Sequence, residues 1–143
     1  MYPVLAADLA QGSELDDGGV AGKGGLLARI VQNGELNEAA IRQQGIQHTG
    51  QLTQNGFENN ANATQSGDGN NFVVLQSGAG NNVELIQSGR ANQASVVQGG
   101  AGRRAVIEQY GNSNTVNVQQ NPLSPNLQVQ QQGNGLAAKV IQY

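Results

Sequence analysis

The chain has 143 residues, of which 37% are hydrophobic and 3% aromatic, and 21 are glycine. A globular domain of this length needs a larger apolar core than such a composition supplies, so a thinner architecture or disorder is expected. A net charge of −3 and the lack of cysteine exclude a basic nucleic-acid-binding surface, a disulfide framework and a cysteine-based metal site.

Residues 1–25 carry no repeat and are rich in Gly, Asp and Ala. They lack the cationic and apolar segments of a signal peptide, and LAADLAQ is their only faintly helical stretch. We interpret them as a flexible N-terminal leader. A repeat domain follows at residues 26–143.

The repeat domain is marked by a glutamine at every eleventh position. These glutamines are Gln32, Gln43, Gln54, Gln65, Gln76, Gln87, Gln98, Gln109, Gln120, Gln131 and Gln142. Polar low-complexity sequence does not keep phase in this way, so the period indicates a repeat architecture.

The residues before each glutamine alternate in polarity. The position two residues before it is apolar in every unit, from Ile30 to Val140, and the position four before it is small or apolar. The positions between them mix charged, polar and apolar types. Each unit is therefore predicted to contain a strand of about six residues with one buried face.

The residues after each glutamine are typical of a tight turn. Two residues on stands a glycine, which tolerates positive φ: Gly34, Gly45, Gly56, Gly67, Gly78, Gly89, Gly100, Gly111 and Gly133. Five residues on stands an asparagine, whose side chain bonds nearby backbone: Asn37, Asn59, Asn70, Asn81, Asn92 and Asn114. The asparagine place is taken elsewhere by His48, Arg103, Pro125 and Leu136.

Two such units make one coil of about 22 residues, with a strand on each side. The predicted fold is an all-β solenoid of about five coils, with two parallel in-register sheets in a cross-β arrangement. The coils would stack at about 4.7–4.8 Å, with the sheets facing each other across about 10 Å. A core this thin needs Ala and Val rather than Trp.

The glutamines share the phase of the apolar residues, so they are predicted to point inward. Each would lie one coil above another glutamine, and its amide N–H could donate to the neighbouring amide oxygen in a continuous ladder. An apolar substitution would then strand the amides above and below, at a cost of roughly 1–3 kcal/mol for each buried group.

The segment NPLSPN, residues 121–126, departs from the repeat. Pro122 takes a glycine place and Pro125 an asparagine place, and neither can donate a backbone hydrogen bond. The flanking runs TVNVQ and LQVQQ keep phase. We therefore expect the solenoid to continue through a stiffened turn into a looser C-terminal coil and a half.

Other candidate sites are weak. SGDGNNFVV slightly resembles a calcium-binding nonapeptide, but the period differs and Asp68 has no acidic counterpart in neighbouring units. The acidic residues recur at no catalytic pairing, and His48 is interpreted as a turn substitute. Arg103 and Arg104 are interpreted as a solvated basic turn. No catalytic residue, metal ligand or cofactor is predicted.

The pattern A-x-I/V-x-Q-x-G-x-x-N, repeated over residues 26–143, resembles the curlin repeats of curli, the functional amyloid fibre that bacteria secrete to bind biofilm matrix and surfaces. The run LNEAAIRQQGIQHTGQLTQNG, residues 36–56, looks more like the opening repeats of the minor, nucleating subunit. Major subunits usually have Ser at the start of alternate strands, where this chain has Asn37, Asn59 or Asn81 or, in the other half, Asn70 and Asn92. The closing IQY, however, is similar to the end of major subunits.

This resemblance implies a secreted structural subunit without enzymatic activity, in extracellular fibres attached to the bacterial outer membrane surface. It implies self-association and binding to homologous curlin subunits, to the curli secretion pore and accessory factors, and to the outer cell surface. The leader would be recognised by the pore. No nucleic acid or small-molecule substrate is expected. The minor subunit is favoured, with the major subunit as the alternative.

A self-contained β-solenoid acting as an adhesin or binding module is the third interpretation. Such a protein must cover its terminal strand edges, because open edges pair with further strands. The sequence shows no amphipathic capping helix, and the glutamine phase continues to Gln142. This pattern favours assembly.

Overall fold

The computed structural model describes residues 2–7 and 25–143. These residues form twelve strands and no helix. The strands are β1 (Tyr2–Ala7), β2 (Leu27–Glu35), β3 (Glu38–Ile46), β4 (Thr49–Phe57), β5 (Asn60–Asp68), β6 (Asn71–Ala79), β7 (Asn82–Arg90), β8 (Gln93–Ala101), β9 (Arg104–Asn112), β10 (Thr115–Gln120), β11 (Leu127–Gln132) and β12 (Ala137–Gln142).

The strands alternate between two six-stranded sheets. The odd sheet has the order β1-β3-β5-β7-β9-β11, and the even sheet has the order β2-β4-β6-β8-β10-β12. From β2 onward every pair is parallel, and each residue lies beside its counterpart one coil further along, as Gln54 lies beside Gln76. The predicted all-β solenoid with two parallel in-register sheets is confirmed.

Most strands are longer than the predicted six residues. Strands β2 to β9 each have nine residues, because the pairing continues through the glycine that follows each glutamine. Gly56, for example, lies beside both Gly34 and Gly78. Among the parallel strands only the last three have six residues: β10, which precedes the proline segment, and β11 and β12, which follow it.

The core lies between the sheets and is one side chain deep on each. Its buried apolar residues are Ala39, Ile41, Leu52, Ala61, Ala63, Phe72, Val74, Val83, Leu85, Ala94, Val96, Ala105, Ile107, Val116 and Val118. The largest, Phe72, lies next to Gly50 on the neighbouring strand, where a Cβ would come within 2.6 Å of the ring. Large and small residues thus alternate along a column to fill the narrow interior.

Strand β1 lies within residues 1–25, for which the sequence predicts a flexible leader and no strand. Tyr2–Ala7 pair antiparallel with β3, so that Tyr2 lies beside Gln43 and Ala7 beside Glu38. Residue 1 and residues 8–24 of the expected leader lie outside the described residues. The first strand of the odd sheet is therefore the only antiparallel member among the described strands.

Candidate functional site

The glutamine side chains form two hydrogen-bonded columns along the interior. In the even sheet Gln32 donates to Gln54, and the column continues through Gln76, Gln98, Gln120 and Gln142, with Nε2 to Oε1 distances of 2.7–3.0 Å. In the odd sheet the column runs from Gln43 through Gln65, Gln87, Gln109 and Gln131 at 2.8–2.9 Å. All eleven glutamines of the repeat belong to one of the two columns.

Most of these amides are shielded from water. The side chains from Gln54 to Gln109 are fully buried, and only the terminal Gln32 and Gln142 are half-exposed. Each buried amide is satisfied by its neighbours, which removes the large penalty for burying an unpaired polar group. The columns therefore hold the strand register as well as filling the core.

The glutamines also connect the two sheets. The second N–H of Gln54 donates to the backbone oxygen of Glu38 at 2.9 Å, and that of Gln43 donates to the oxygen of Leu27 at the same distance. In both cases the acceptor is the first residue of the preceding strand, which belongs to the opposite sheet. Every glutamine from Gln43 to Gln131 thus joins the end of one strand to the start of the strand facing it.

The asparagines form a second set of columns at the corners. Asn70 is typical: its Nδ2 donates to the oxygens of Ser66, at 2.8 Å, and of Gly89, at 3.0 Å, while its Oδ1 accepts from the backbone N–H of Asn92. Asn37, Asn59, Asn81, Asn92 and Asn114 are buried in the same way. Each asparagine closes its own corner and joins it to the next coil.

Each regular corner contains two residues with positive φ rather than the one that was expected. The glycine after the glutamine has φ near +107° at Gly67, and all nine predicted turn glycines share the positive sign. Two residues later a second one follows, as at Gly69 with φ +63°. This second position is also occupied by Leu36, Glu58 and Ala91. Because no single residue type recurs there, the sequence does not indicate its positive φ.

His48 occupies an asparagine place and is fully buried. Its Nδ1 accepts from the backbone N–H of Asn70 at 3.2 Å, and its Nε2 lies 3.0 Å from the oxygen of Gln44. These are two of the three contacts that Asn70 makes at the next corner of the same column. The interpretation of His48 as a turn substitute agrees with these contacts.

Arg103 is not the solvated turn residue that the sequence suggested. Its guanidinium donates to the backbone oxygens of Pro122 and Ser124, on the next coil. In the regular units a corner asparagine donates to the glycine of the next coil, as Asn81 donates to the oxygen of Gly100. Arg103 takes an asparagine place, and Pro122 takes the corresponding glycine place on the next coil. The longer arginine side chain thus performs the role of asparagine where the next corner is irregular.

The proline segment is closed by Ser124, which is fully buried. Its Oγ accepts from the N–H of Asn121 at 2.8 Å and donates to the oxygen of Gln142 at 3.0 Å. Gln120 adds a bond from Nε2 to the oxygen of Pro125. These contacts let β10 and β11 keep the register of the columns on either side of the proline turn, as expected.

Outward-facing charged side chains of opposite sign lie near each other on neighbouring strands. Asp68 lies 3.9 Å from Arg90, and Glu84 lies 3.7 Å from Arg104, in exposed pairs that contribute little to stability. Among the described residues, no group of His, Asp and Glu side chains is arranged to hold a metal ion. Within the same residues there is no helix that could cross a membrane.

The strand edges are the remaining chemical feature of the solenoid. Within the described sheets, β1 pairs only with β3, β2 only with β4, β11 only with β9 and β12 only with β10. The outer sides of these strands carry backbone N–H and C=O groups available for pairing with a further strand. Comparisons with protein-family models, curated proteins and solved structures found no match to this chain.

Proposed function

We propose that the chain is a secreted structural subunit of a curli-type functional amyloid fibre, and that it is the minor subunit, which nucleates fibre assembly at the cell surface. Two lines of evidence support this function. One is the resemblance of residues 26–143 to curlin repeats. The other, which carries the proposal, is a pair of in-register parallel sheets with strand edges exposed at β2, β11 and β12.

The exposed edges select a partner of particular chemistry. A strand that pairs with β12 must offer backbone groups in parallel register and must place an apolar residue beside Val140 and an amide beside Gln142. Ile30 and Val140 are only partly buried at the two ends, so pairing would cover them further. A second copy of this chain, or a homologous curlin subunit, has this pattern in every unit.

The partner is not selected by charge. Strands β4, β6, β8 and β10 of the even sheet carry no charged side chain. Its two edge strands carry like charges at the same place in the repeat, Arg29 on β2 and Lys139 on β12, and these do not attract each other. Hydrogen-bond complementarity and apolar contact therefore provide the recognition, as in cross-β assemblies. Binding of this kind suits a structural partner rather than a nucleic acid or a small-molecule substrate.

The nucleating role is tested by adding the chain in substoichiometric amount to a purified major curlin subunit and following fibre formation with time. We expect the lag phase to shorten severalfold, because preformed edges replace the slow step of nucleation. The matched variants are Gln87→Leu, which interrupts a buried column, and Gln93→Leu, which alters an exposed side chain. An unchanged lag, with fibres formed by the chain alone, would identify it as a major subunit instead.

One observation favours the alternative of a self-contained adhesin, namely that β1 covers the edge of β3. A strand added antiparallel at an edge is one way to stop further pairing. The two functions differ in solution behaviour. A monodisperse monomer that persists for days at micromolar concentration would support the adhesin and contradict the fibre subunit.

A further inference from the structure

The two ends of the solenoid have complementary steps. At the C-terminal end the even sheet extends one strand further than the odd sheet, because β12 follows β11 and stacks on β10. At the other end the odd sheet extends one strand further than the even sheet, because β1 lies below β3 while β2 is the first strand of its sheet. Each end thus projects where the other recedes.

We infer that these steps interlock between successive copies of the 143-residue chain, with β1 of each copy filling the place left open beside β11 of the preceding copy. This inference rests on the proposed fibre function and specifies how the subunits join. In the joint β12 pairs with β2 of the next copy, and β11 pairs with its β1. Both sheets then continue without a gap, since each copy contributes six strands to each sheet.

The registers of the two strand pairs agree with this joint. In the even sheet, continuing the same parallel register places Val140 beside Ile30 and Gln142 beside Gln32 of the next copy. It also brings Lys139 beside Arg29, but both cations face solvent, where salt screens their repulsion. In the odd sheet, β1 lies with Tyr2 beside Gln43. Gln131 and Val129 occupy the same columns as Gln43 and Ile41. In the joint, therefore, Gln131 of the preceding copy lies beside Tyr2, and Val129 lies beside Val4. The two strands at that contact, β1 and β11, are both six residues long.

The polarity of the glutamine columns favours head-to-tail stacking. Every Nε2 donates toward the C-terminal end, so Gln142 donates to no further glutamine and Gln32 accepts from none among the described residues. Stacking in the same direction places the donor of Gln142 against the acceptor of Gln32. Stacking two C-terminal ends together would place donor against donor.

Without β1 the joint is defective. If β2 of the next copy pairs with β12, the even sheet is continuous, but the odd sheet has a gap one strand wide between β11 and β3 of the next copy. If β3 of the next copy pairs directly with β11, the odd sheet is continuous, but β2 of that copy then collides with β12 in the even sheet. Strand β1 removes this conflict at a small loss, because Pro3 cannot donate one of the backbone hydrogen bonds near the end of the strand.

The axial repeat of the fibre measures this arrangement directly. Six strand spacings of about 4.8 Å give a rise of about 29 Å per copy, against about 24 Å if β1 and β12 are left out of the joint. Cryo-electron microscopy of fibres of the complete chain should give the larger value. The smaller rise would overturn the inference while leaving the fibre function standing, whereas a lack of fibres would contradict the fibre function itself.

Substitutions in β1 test the same strand in solution. In β3 the N–H of Glu38 donates to Asn59 on the β5 side, so the backbone groups of Ile41, three residues on, lie on the β1 side. Val4 lies beside Ile41 and bonds within its own copy, whereas the N–H of the next residue, Leu5, points to the joint. Leu5→Pro removes this N–H, and Leu5→Thr keeps it. We expect Leu5→Pro to slow seeded elongation about tenfold, the effect of losing one hydrogen bond at the joint, with Leu5→Thr close to the unmodified chain. Equal elongation rates and equal rise for both variants would show that β1 takes no part. Faster elongation of Leu5→Pro would show that β1 is an inhibitory cap.

Disulfide crosslinking tests the head-to-tail order. Val31 and Ile141 face outward on β2 and β12, which lie five strands apart within one copy, about 24 Å and too far for a disulfide. In the joint they are neighbours. Since the chain has no cysteine of its own, oxidised fibres of the double variant Val31→Cys/Ile141→Cys should give a ladder of covalent oligomers. Each single variant can give dimers at most, and dimers alone from the double variant would contradict the order.

Discussion

The regular body of the solenoid, β4 to β9, and its C-terminal part, β10 to β12, share the same columns but differ at the corners. In the body each strand has nine residues, and the corners are closed by columns of glycine and of buried asparagine. In the C-terminal part the strands have six residues, and Ser124 and Arg103 close the irregular corner. The glutamine columns run unbroken through both.

This difference indicates which interactions determine the fold. Replacing glycine and asparagine by two prolines shortens the strands but does not shift the register of β11 on β9. The inward glutamine and apolar residues continue in phase there, so they are sufficient to keep the coil stacking. The residues that close a corner can be replaced by others, provided that the backbone N–H and C=O groups of the corner still have hydrogen-bond partners.

The largest effect is expected at the corner glycines of the body. A Cβ at Gly67, where φ is +107°, would lie 2.0 Å from the backbone oxygen of Gly89, which cannot move without breaking the stack. Gly67→Ala should lower the free energy of unfolding by more than about 4 kcal/mol, measured by urea denaturation of the monomer.

The matching change in the C-terminal part is Gly133→Ala. There the nearest atom to the added Cβ would be Leu136 Cδ1 at 3.5 Å, so that only the strain of positive φ remains. We expect a loss of about 1–3 kcal/mol. Equal losses for the two variants would show that backbone strain, and not stacking, determines the need for glycine.

The glutamine columns should show a smaller contrast. Gln87→Leu in the body strands the donor of Gln65 and the acceptor of Gln109, and we expect it to lower the free energy of unfolding by about 3 kcal/mol. Within one copy Gln131→Leu strands one glutamine of the column, the donor of Gln109, and not two, so about half this loss is expected. The exposed control Gln93→Leu should change it by less than about 0.5 kcal/mol. A similar loss for Gln87→Leu and Gln93→Leu would contradict the structural role of the columns.

The irregular corner can be weakened on its own. Arg103→Ala removes the donors to the oxygens of Pro122 and Ser124, and should reduce the stability of β11 and β12 by about 1–2 kcal/mol. Hydrogen exchange would detect this loss as faster exchange of the amides in Leu127–Gln132. The neighbouring control Arg104→Ala, whose side chain is exposed, should leave that exchange unchanged.

The smallest effect is expected at His48. An asparagine at this place could donate to the oxygen of Gly67 as well as to that of Gln44, following the contacts of Asn70 one coil further on. His48→Asn should therefore raise the free energy of unfolding by about 0.5–1 kcal/mol. Asn70→His is the reverse substitution in the body, and a gain in stability there would show that histidine is the better residue at this corner.

The sequence predicted most of what repeats and little of what does not. The glutamine period identified the fold class, the inward glutamines and the asparagine corners, because an error in phase would place polar groups in the core. The second positive-φ place escaped detection, since leucine, glutamate, alanine and glycine all occupy it. Strand β1 and the contacts of Arg103 occur once each, and a single occurrence has no periodic signal.

The most direct test of the fibre function is X-ray fibre diffraction from the purified chain after incubation at micromolar concentration. A subunit that extends its sheets from copy to copy should give a meridional reflection at about 4.7–4.8 Å and an equatorial reflection at about 10 Å. A solution that remains monomeric for days, with no fibres to diffract, would contradict assembly through the strand edges.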